Sequence, residues 1–390
     1  MEFKINYENA QVVFSKIIDR LKERGYPFNK KGAVVPQELV DCSYMNDLEH
    51  SLFWFYVCHY MRGAIDSNMC TMRLAEMRVD KPEFFIPKEA AKLSVEELGD
   101  YLKKIINYTP YDIAAHWIEN SRRMQHYFNG DPRNIFLGND FDQVTDRVRN
   151  KGKAIEKLKD GEFPGFIGFQ HKMVGMLCYF QVERKLVSAF DFITAVDFHL
   201  LRVMLMCEVI IPDDPSGKFL YNEKIQEPAR NALKWYIENN PQHTMVELGD
   251  ALWLLSSNGC KRSPWNRTFD VEGRQKTRYR KYLERKKKDK DFSDSRLEAE
   301  MDLPQNEIFG DSHLGTFESW IQSGKALREY YKNCGNCALV SHCKYGIPAE
   351  EYYQGGKLKL RLKPDTNLPI PFEIFTNEIS LSGQRELLSE

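Results

Sequence analysis

Four cysteines of this chain stand in polar turns rather than in apolar runs: Cys260 in SSNGCKRS, and Cys334, Cys337 and Cys343 in NCGNCALVSHCK. The last three are spaced Cys-x2-Cys-x5-Cys, the clustering that a metal held by thiolates requires. Zinc and iron–sulfur clusters both accept four cysteines. Structural zinc takes two tight pairs, each about two to four residues apart. The Cys-x5-Cys arm fits that poorly and suits a wider [4Fe–4S] cubane, with zinc as the alternative. His342, beside Cys343, is the residue that would turn the set into a mixed zinc site. The remaining cysteines, Cys42, Cys58, Cys70, Cys178 and Cys207, have apolar neighbours such as FWFYVCHYM, and read as small buried hydrophobes.

A carboxylate is the second candidate. In ITAVDFHLLRVML, residues 193–205, Asp197 follows an apolar segment and precedes a helical pattern. There its carboxylate can accept hydrogen bonds from the first free N–H groups of the helix, and the positive end of the helix dipole favours the ionised form. The plain reading is a cap. The chemical reading is a fixed negative charge able to stabilise a cationic transition state, such as the oxocarbenium ion formed when a glycosidic bond breaks. Upstream, FIGFQHKMVGML, residues 166–177, is a short apolar-glycine turn feeding an amphipathic helix.

Helices must position these groups. AQVVFSKIIDRLKERG, EHSLFWFYVCHYMRGA, SVEELGDYLKKIINY, PYDIAAHWIENSRRMQHYF, HKMVGMLCYFQVERK, FHLLRVMLMCEV, PARNALKWYIENN and HTMVELGDALWLLSS each repeat apolar residues at three- and four-residue intervals. Strand alternation is confined to GKLKLRLKP in the tail, so the expected fold class is all-α. At 390 residues the chain can bury a large core. Its 42% hydrophobic and 28% charged content is ordinary for a globular protein. An odd count of nine cysteines argues against a disulfide framework. No stretch reaches the roughly 18 apolar residues of a membrane span, and MEFKINYENA is no leader, so an intracellular location and no membrane partner are expected.

One segment departs in charge. Residues 261–290 hold 13 Lys/Arg against 4 Asp/Glu in a chain of net charge −1. The run is either a solvated insertion or, with Trp265, Tyr279 and Tyr282 interleaved, a nucleic-acid contact in which basic groups meet phosphate and rings stack on bases.

Taken together, these stretches resemble the helix-hairpin-helix DNA glycosylases, in particular the iron–sulfur endonuclease III and adenine mismatch glycosylase type. FIGFQHKMV is similar to that family's hairpin Leu-Pro-Gly-Val-Gly-Arg-Lys-Thr-Ala, with Gly168 on the first glycine, Gln170 in place of the second, and Lys172 on the lysine. VDFHLLRV resembles Val-Asp-Thr-His-x-x-Arg-Val, setting Asp197 on the catalytic aspartate with His199 and Arg202 in register. ELGDALWLLSSNGCKRS and CGNCALVSHC resemble the family's four-cysteine cluster loop, which makes Cys260 the partner of Cys334, Cys337 and Cys343; here 73 residues separate Cys260 from Cys334 where the family has six. YMRGAID occupies the place of the loop that wedges into the base stack, with Arg62 or Gly63 at its tip.

The resemblance implies two helical subdomains of the HhH-GPD type. The chain would then divide into residues 1–44, an N-terminal helix packing on the cluster domain; 45–205, the helical domain with the hairpin; 206–350, the cluster domain with an insertion at 261–333; and 351–390, a C-terminal tail. It further implies base excision from duplex DNA, with a nucleotide flipped into a pocket between the helical and cluster domains. Asp197 would stabilise the sugar cation. Lys172 would serve either as the nucleophile of an added AP-lyase step or as a phosphate contact. Gly168, Gln170, His171 and Arg62 would touch DNA, and a [4Fe–4S] cluster would brace a DNA-facing loop. Two other readings stand beside this one: an N-glycosidase of the same fold acting on a free or RNA-derived nucleoside, and a non-catalytic nucleic-acid-binding module.

Overall fold

The computed structural model describes residues 2–61, 67–105, 110–138, 140–152, 158–159, 161–213, 218–220, 222–259, 336–343, 349–354, 357–362 and 373–375. These are mostly helical. In chain order the helices are α1 (Tyr7–Lys22), α2 (Asp47–Tyr60), α3 (Ser67–Asp80), α4 (Pro87–Ala90), α5 (Val95–Ile105), α6 (Pro110–Phe128), α7 (Phe141–Val148), α8 (His171–Glu183), α9 (Phe198–Met206), α10 (Glu223–Asn239) and α11 (Met245–Leu254). A π-helical turn, Leu255–Gly259, continues α11. Every helix expected from apolar periodicity is present.

Three helices and several short strands were not expected. In α3, exposed Met69, Met72 and Val79 blur the period of buried Cys70, Leu74 and Met77. The four residues of α4 and the eight of α7 are too few to show a period. Helix α10 begins before the proline that looked like its first residue: Asn222 caps it by accepting the Lys224 N–H at 3.0 Å, and Pro228 lies inside. The tail alternation forms β5 (Lys357–Leu362), antiparallel to β4 (Ala349–Gln354). Two further pairs exist, β1 (Phe3–Ile5) with β2 (Ile210–Pro212), and β3 (Lys218–Leu220) with β6 (Glu373–Phe375). The basic run at 261–290 lies outside the described residues.

The chain divides into two units. One comprises residues 32–201 and 229–253, the other residues 1–31, 202–228 and 254–390.

The first unit is built around α2. Asn46 and Glu49 form a reciprocal capping box at its start. From Ser51 to Tyr60 every side chain is buried, because this helix is apolar all round and must be covered on all sides. Helices α3, α6 and α8 pack on it. Rings fill the space between: Trp54 stacks on Phe180 with centroids 4.4 Å apart, and Tyr56 stacks on Trp117 at 4.4 Å. The polar ends of the second pair are satisfied, Tyr56 Oη with Ser121 Oγ at 2.7 Å and Trp117 Nε1–H donating to the Phe84 carbonyl at 2.9 Å, whereas the buried Trp54 Nε1–H has no acceptor among the described residues. Cys58, Cys70 and Cys178 are buried here as expected, while Cys42 is half-buried, its thiol pushed up to about 11 chiefly by burial.

In the second unit the amphipathic α1 turns Ala10, Val13, Phe14, Ile17 and Ile18 inward. Asn6 caps it, and Asn9 Nδ2 donates to the Cys207 carbonyl at 3.0 Å, next to the β1–β2 ladder.

Candidate functional site

Asp197 stands where an extended segment enters α9. Its Oδ1 accepts the backbone N–H of His199 at 2.8 Å and of Leu200 at 3.1 Å, which satisfies two of the four amides left open at a helix start. The residue is half-buried, while Val196 before it is covered. The His199 ring lies 5.6 Å from that of Trp253 on α11.

The segment 193–195 fixes where that carboxylate is. A Cβ added to Gly175 of α8 would meet the Ile193 carbonyl oxygen at 2.5 Å, and one added to Gly249 of α11 would meet Thr194 Oγ1 at 3.0 Å. Gly175 is what lets α8 close on this backbone, and Gly249 leaves room for the Thr194 side chain against α11. Lys172, Gly175 and Tyr179 follow one another along α8 at intervals of three and four, so they share a face. The face carrying Lys172 is therefore the one against which the Asp197 segment packs.

Ahead of α8 the chain makes a tight turn. Gly168 has φ +85°, a conformation that favours glycine. Asn120 of α6, fully buried, clasps the turn on both sides, its Oδ1 accepting the Ile167 N–H at 2.7 Å and its Nδ2 donating to the Ile167 carbonyl at 2.9 Å. Arg123, one turn further along α6, donates to the Gly165 carbonyl at 2.8 Å. Gln170 is the N-cap residue of α8, with φ −113°, ψ −176° and no side-chain cap bond. That is ordinary extended backbone, so glutamine in place of a second glycine costs the turn nothing. His171 Nε2 lies 2.9 Å from Arg149 Nη1, and half-buried Lys172 follows it. Arg149, donating to His171 Nε2, and Lys172 thus bring positive charge to the positive end of α8, a setting that favours an anion such as phosphate.

Of the expected metal ligands, Cys337 and Cys343 are described; Cys260 and Cys334, like Arg62, lie outside the described residues. Both thiols are half-buried in a turn in which the Val340 N–H bonds the Cys337 carbonyl at 3.1 Å and Leu339 is buried. His342 on the same turn lies 2.7 Å from Lys16 Nζ of α1. Among the described residues no group of three or more metal-binding side chains converges. The π-helical turn ends at Gly259, immediately before Cys260.

Sequence reasoning passed over Asn120, Arg149 and a hydrogen-bonded pair at the far end of α8, buried Tyr179 and half-buried Asp250. Tyr179 donates to Asp250 Oδ1 of α11, and Gln37 Nε2 donates to Tyr179 Oη. Burial, reinforced by Glu183 and Glu38 and opposed by the Tyr179 hydrogen bond and Arg184, pushes the Asp250 carboxyl up to about 7. Burial also pushes the Tyr179 phenol well up. The signal was present for Asp250, an acid on the apolar face of ELGDALWLL, and for Asn120, an amide within a similar face of α6.

No protein-family model matches the chain, and no curated protein matches its sequence. Among the described residues no helix is long and apolar enough to cross a membrane.

Proposed function

We propose that the chain is a DNA N-glycosylase of the helix-hairpin-helix kind, hydrolysing the bond between deoxyribose and a damaged, mismatched or modified base. The observation that carries this reading is the placement of Asp197: a carboxylate at the start of α9, on a segment packed against the face of α8 that bears Lys172, behind the Gly168 turn. As the base departs, positive charge grows on the anomeric carbon. A carboxylate already tied to two backbone amides stabilises that charge without having to reorganise. Water completes the hydrolysis at that carbon, and the base leaves with a proton. The start of α8, where Arg149 and Lys172 bring positive charge beside His171, suits a backbone phosphate beside the extruded nucleotide. Lys172 is in addition the amine that could attack the same carbon in a lyase step.

The half-buried thiols of Cys337 and Cys343 fit a soft metal centre, and with Cys260 and Cys334 they would hold a [4Fe–4S] cluster, with zinc as the other occupant of such a set. Such a group would supply structural bracing. The near-neutral net charge of −1 favours a second reading, an N-glycosidase of the same fold acting on a nucleoside rather than a duplex.

The test is base release from duplex oligonucleotides carrying a panel of modified or mismatched bases. We expect release by the unaltered protein and a loss of about 100-fold or more in Asp197→Asn. Equal rates for the two proteins would remove the assignment. Release from nucleosides alone would select the second reading.

A further inference from the structure

Helices α8 and α11 are joined in two ways, through the segment that both touch and through a hydrogen bond between them. At one, Gly175 and Gly249 press on residues 193–195 from two sides. At the other, one turn beyond Gly175 and one residue beyond Gly249, Tyr179 donates to Asp250. The glycines allow closeness but supply no attraction of their own, since neither has a side chain. Burial of Val174 and Leu177 on α8 and of Leu248 and Leu252 on α11 supplies that attraction without fixing its direction, and the Tyr179–Asp250 hydrogen bond adds a directional tie across the same helix pair. It is itself held from outside by Gln37, which donates to the phenol oxygen from the 3-10 turn Pro36–Leu39. The groups facing Asp250 are Tyr179 and Glu183 of α8, Arg184 just after it, and Glu38 of the same 3-10 turn.

We propose that the Tyr179–Asp250 hydrogen bond is a latch that closes α8 and α11 on residues 193–195 and so sets the position of the Asp197 carboxylate. Neither residue touches substrate in this proposal; both act through the segment. The latch rests on geometry alone, whereas its effect on catalysis rests on the reading of Asp197 given above.

The test joins amide hydrogen exchange to kinetics. In Tyr179→Phe the donor is gone and the ring remains. Exchange at residues 193–200, including the His199 and Leu200 amides that bond Asp197, should quicken about tenfold, with α6 as the internal control. Base release should lose a similar factor in kcat with KM little changed, since the carboxylate is displaced while the phosphate contacts at the start of α8 persist. Asp250→Asn, whose amide oxygen still accepts from Tyr179, should hold exchange within about twofold of the unaltered protein; Asp250→Leu should behave as Tyr179→Phe. Unchanged exchange at 193–200 in Tyr179→Phe, or a rise no larger than that across α6, overturns the latch. Faster exchange in Tyr179→Phe from a protein that releases no base in any form supports the latch and overturns the glycosylase reading instead.

Discussion

At the scale of single residues, the two roles of Asp197 can be pulled apart because asparagine caps a helix about as well as aspartate does. Asp197→Asn should therefore unfold within about 0.5 kcal/mol of the unaltered protein in urea while losing base release. Asp197→Ala should lose both, with a stability cost of about 1 kcal/mol for the missing cap. A mutant pair that differs in stability but not in rate would leave Asp197 a cap and nothing more. Lys172 admits an equally direct check. An amine that attacks the sugar is trapped on abasic DNA by borohydride, so trapping should occur with the unaltered protein and vanish in Lys172→Gln. Should Lys172 only contact phosphate, no adduct forms in either, and the substitution weakens binding instead.

At the scale of elements, the glycine contacts carry their own prediction. In Gly175→Ala the new methyl meets backbone atoms of Ile193, Thr194 and Ala195, and backbone cannot turn aside as a flexible side chain can. Overpacking of this kind costs about 1–3 kcal/mol, which chemical denaturation would measure. The half-buried acid of α11 makes a pH-dependent contribution with a definite sign. The Asp250 carboxyl is raised from 3.8 to about 7, first by burial and then by Glu183 and Glu38. The folded state thus holds this proton more tightly than the unfolded state does. Its contribution is fully present below 3.8 and is lost as pH rises through about 7. The change amounts to about 4 kcal/mol over that window. Glu183, raised chiefly by its own burial, works in the same direction. The stability difference between the unaltered protein and Asp250→Asn should accordingly grow in favour of the asparagine as pH climbs from 4 to 7, followed by urea midpoints at each pH. A difference that stays flat would mean that Asp250 is ionised throughout.

At the scale of the whole molecule, the metal reading has a visible outcome. A cluster held by Cys260, Cys334, Cys337 and Cys343 would colour the purified protein brown and release iron and sulfide in equal amounts on acid treatment, and Cys337→Ser should lose both; zinc would leave it colourless. Much of the architecture was legible beforehand, because α1, α6, α8 and α9 announce themselves through a period set by the helix alone. The Asp197 cap was legible for the same reason, since capping depends on residues within one turn. In contrast, α3 was hidden because methionines and a valine on its outer face carry no inward-facing signal. Within α8 and α11, Gly175 and Gly249 have no side chain and so add nothing to the apolar period. Only tertiary packing turned them into the seat of the segment that leads to Asp197. Tyr179 and Asp250 lie 71 positions apart, and their meeting depends on how α8 and α11 pack. The sequence by itself thus determined the helices, the caps and the residue types available for chemistry, since these follow from neighbours within a turn. Tertiary structure alone decided which helix faces meet and which half-buried acid finds a partner, because those contacts are settled by packing between segments distant along the chain.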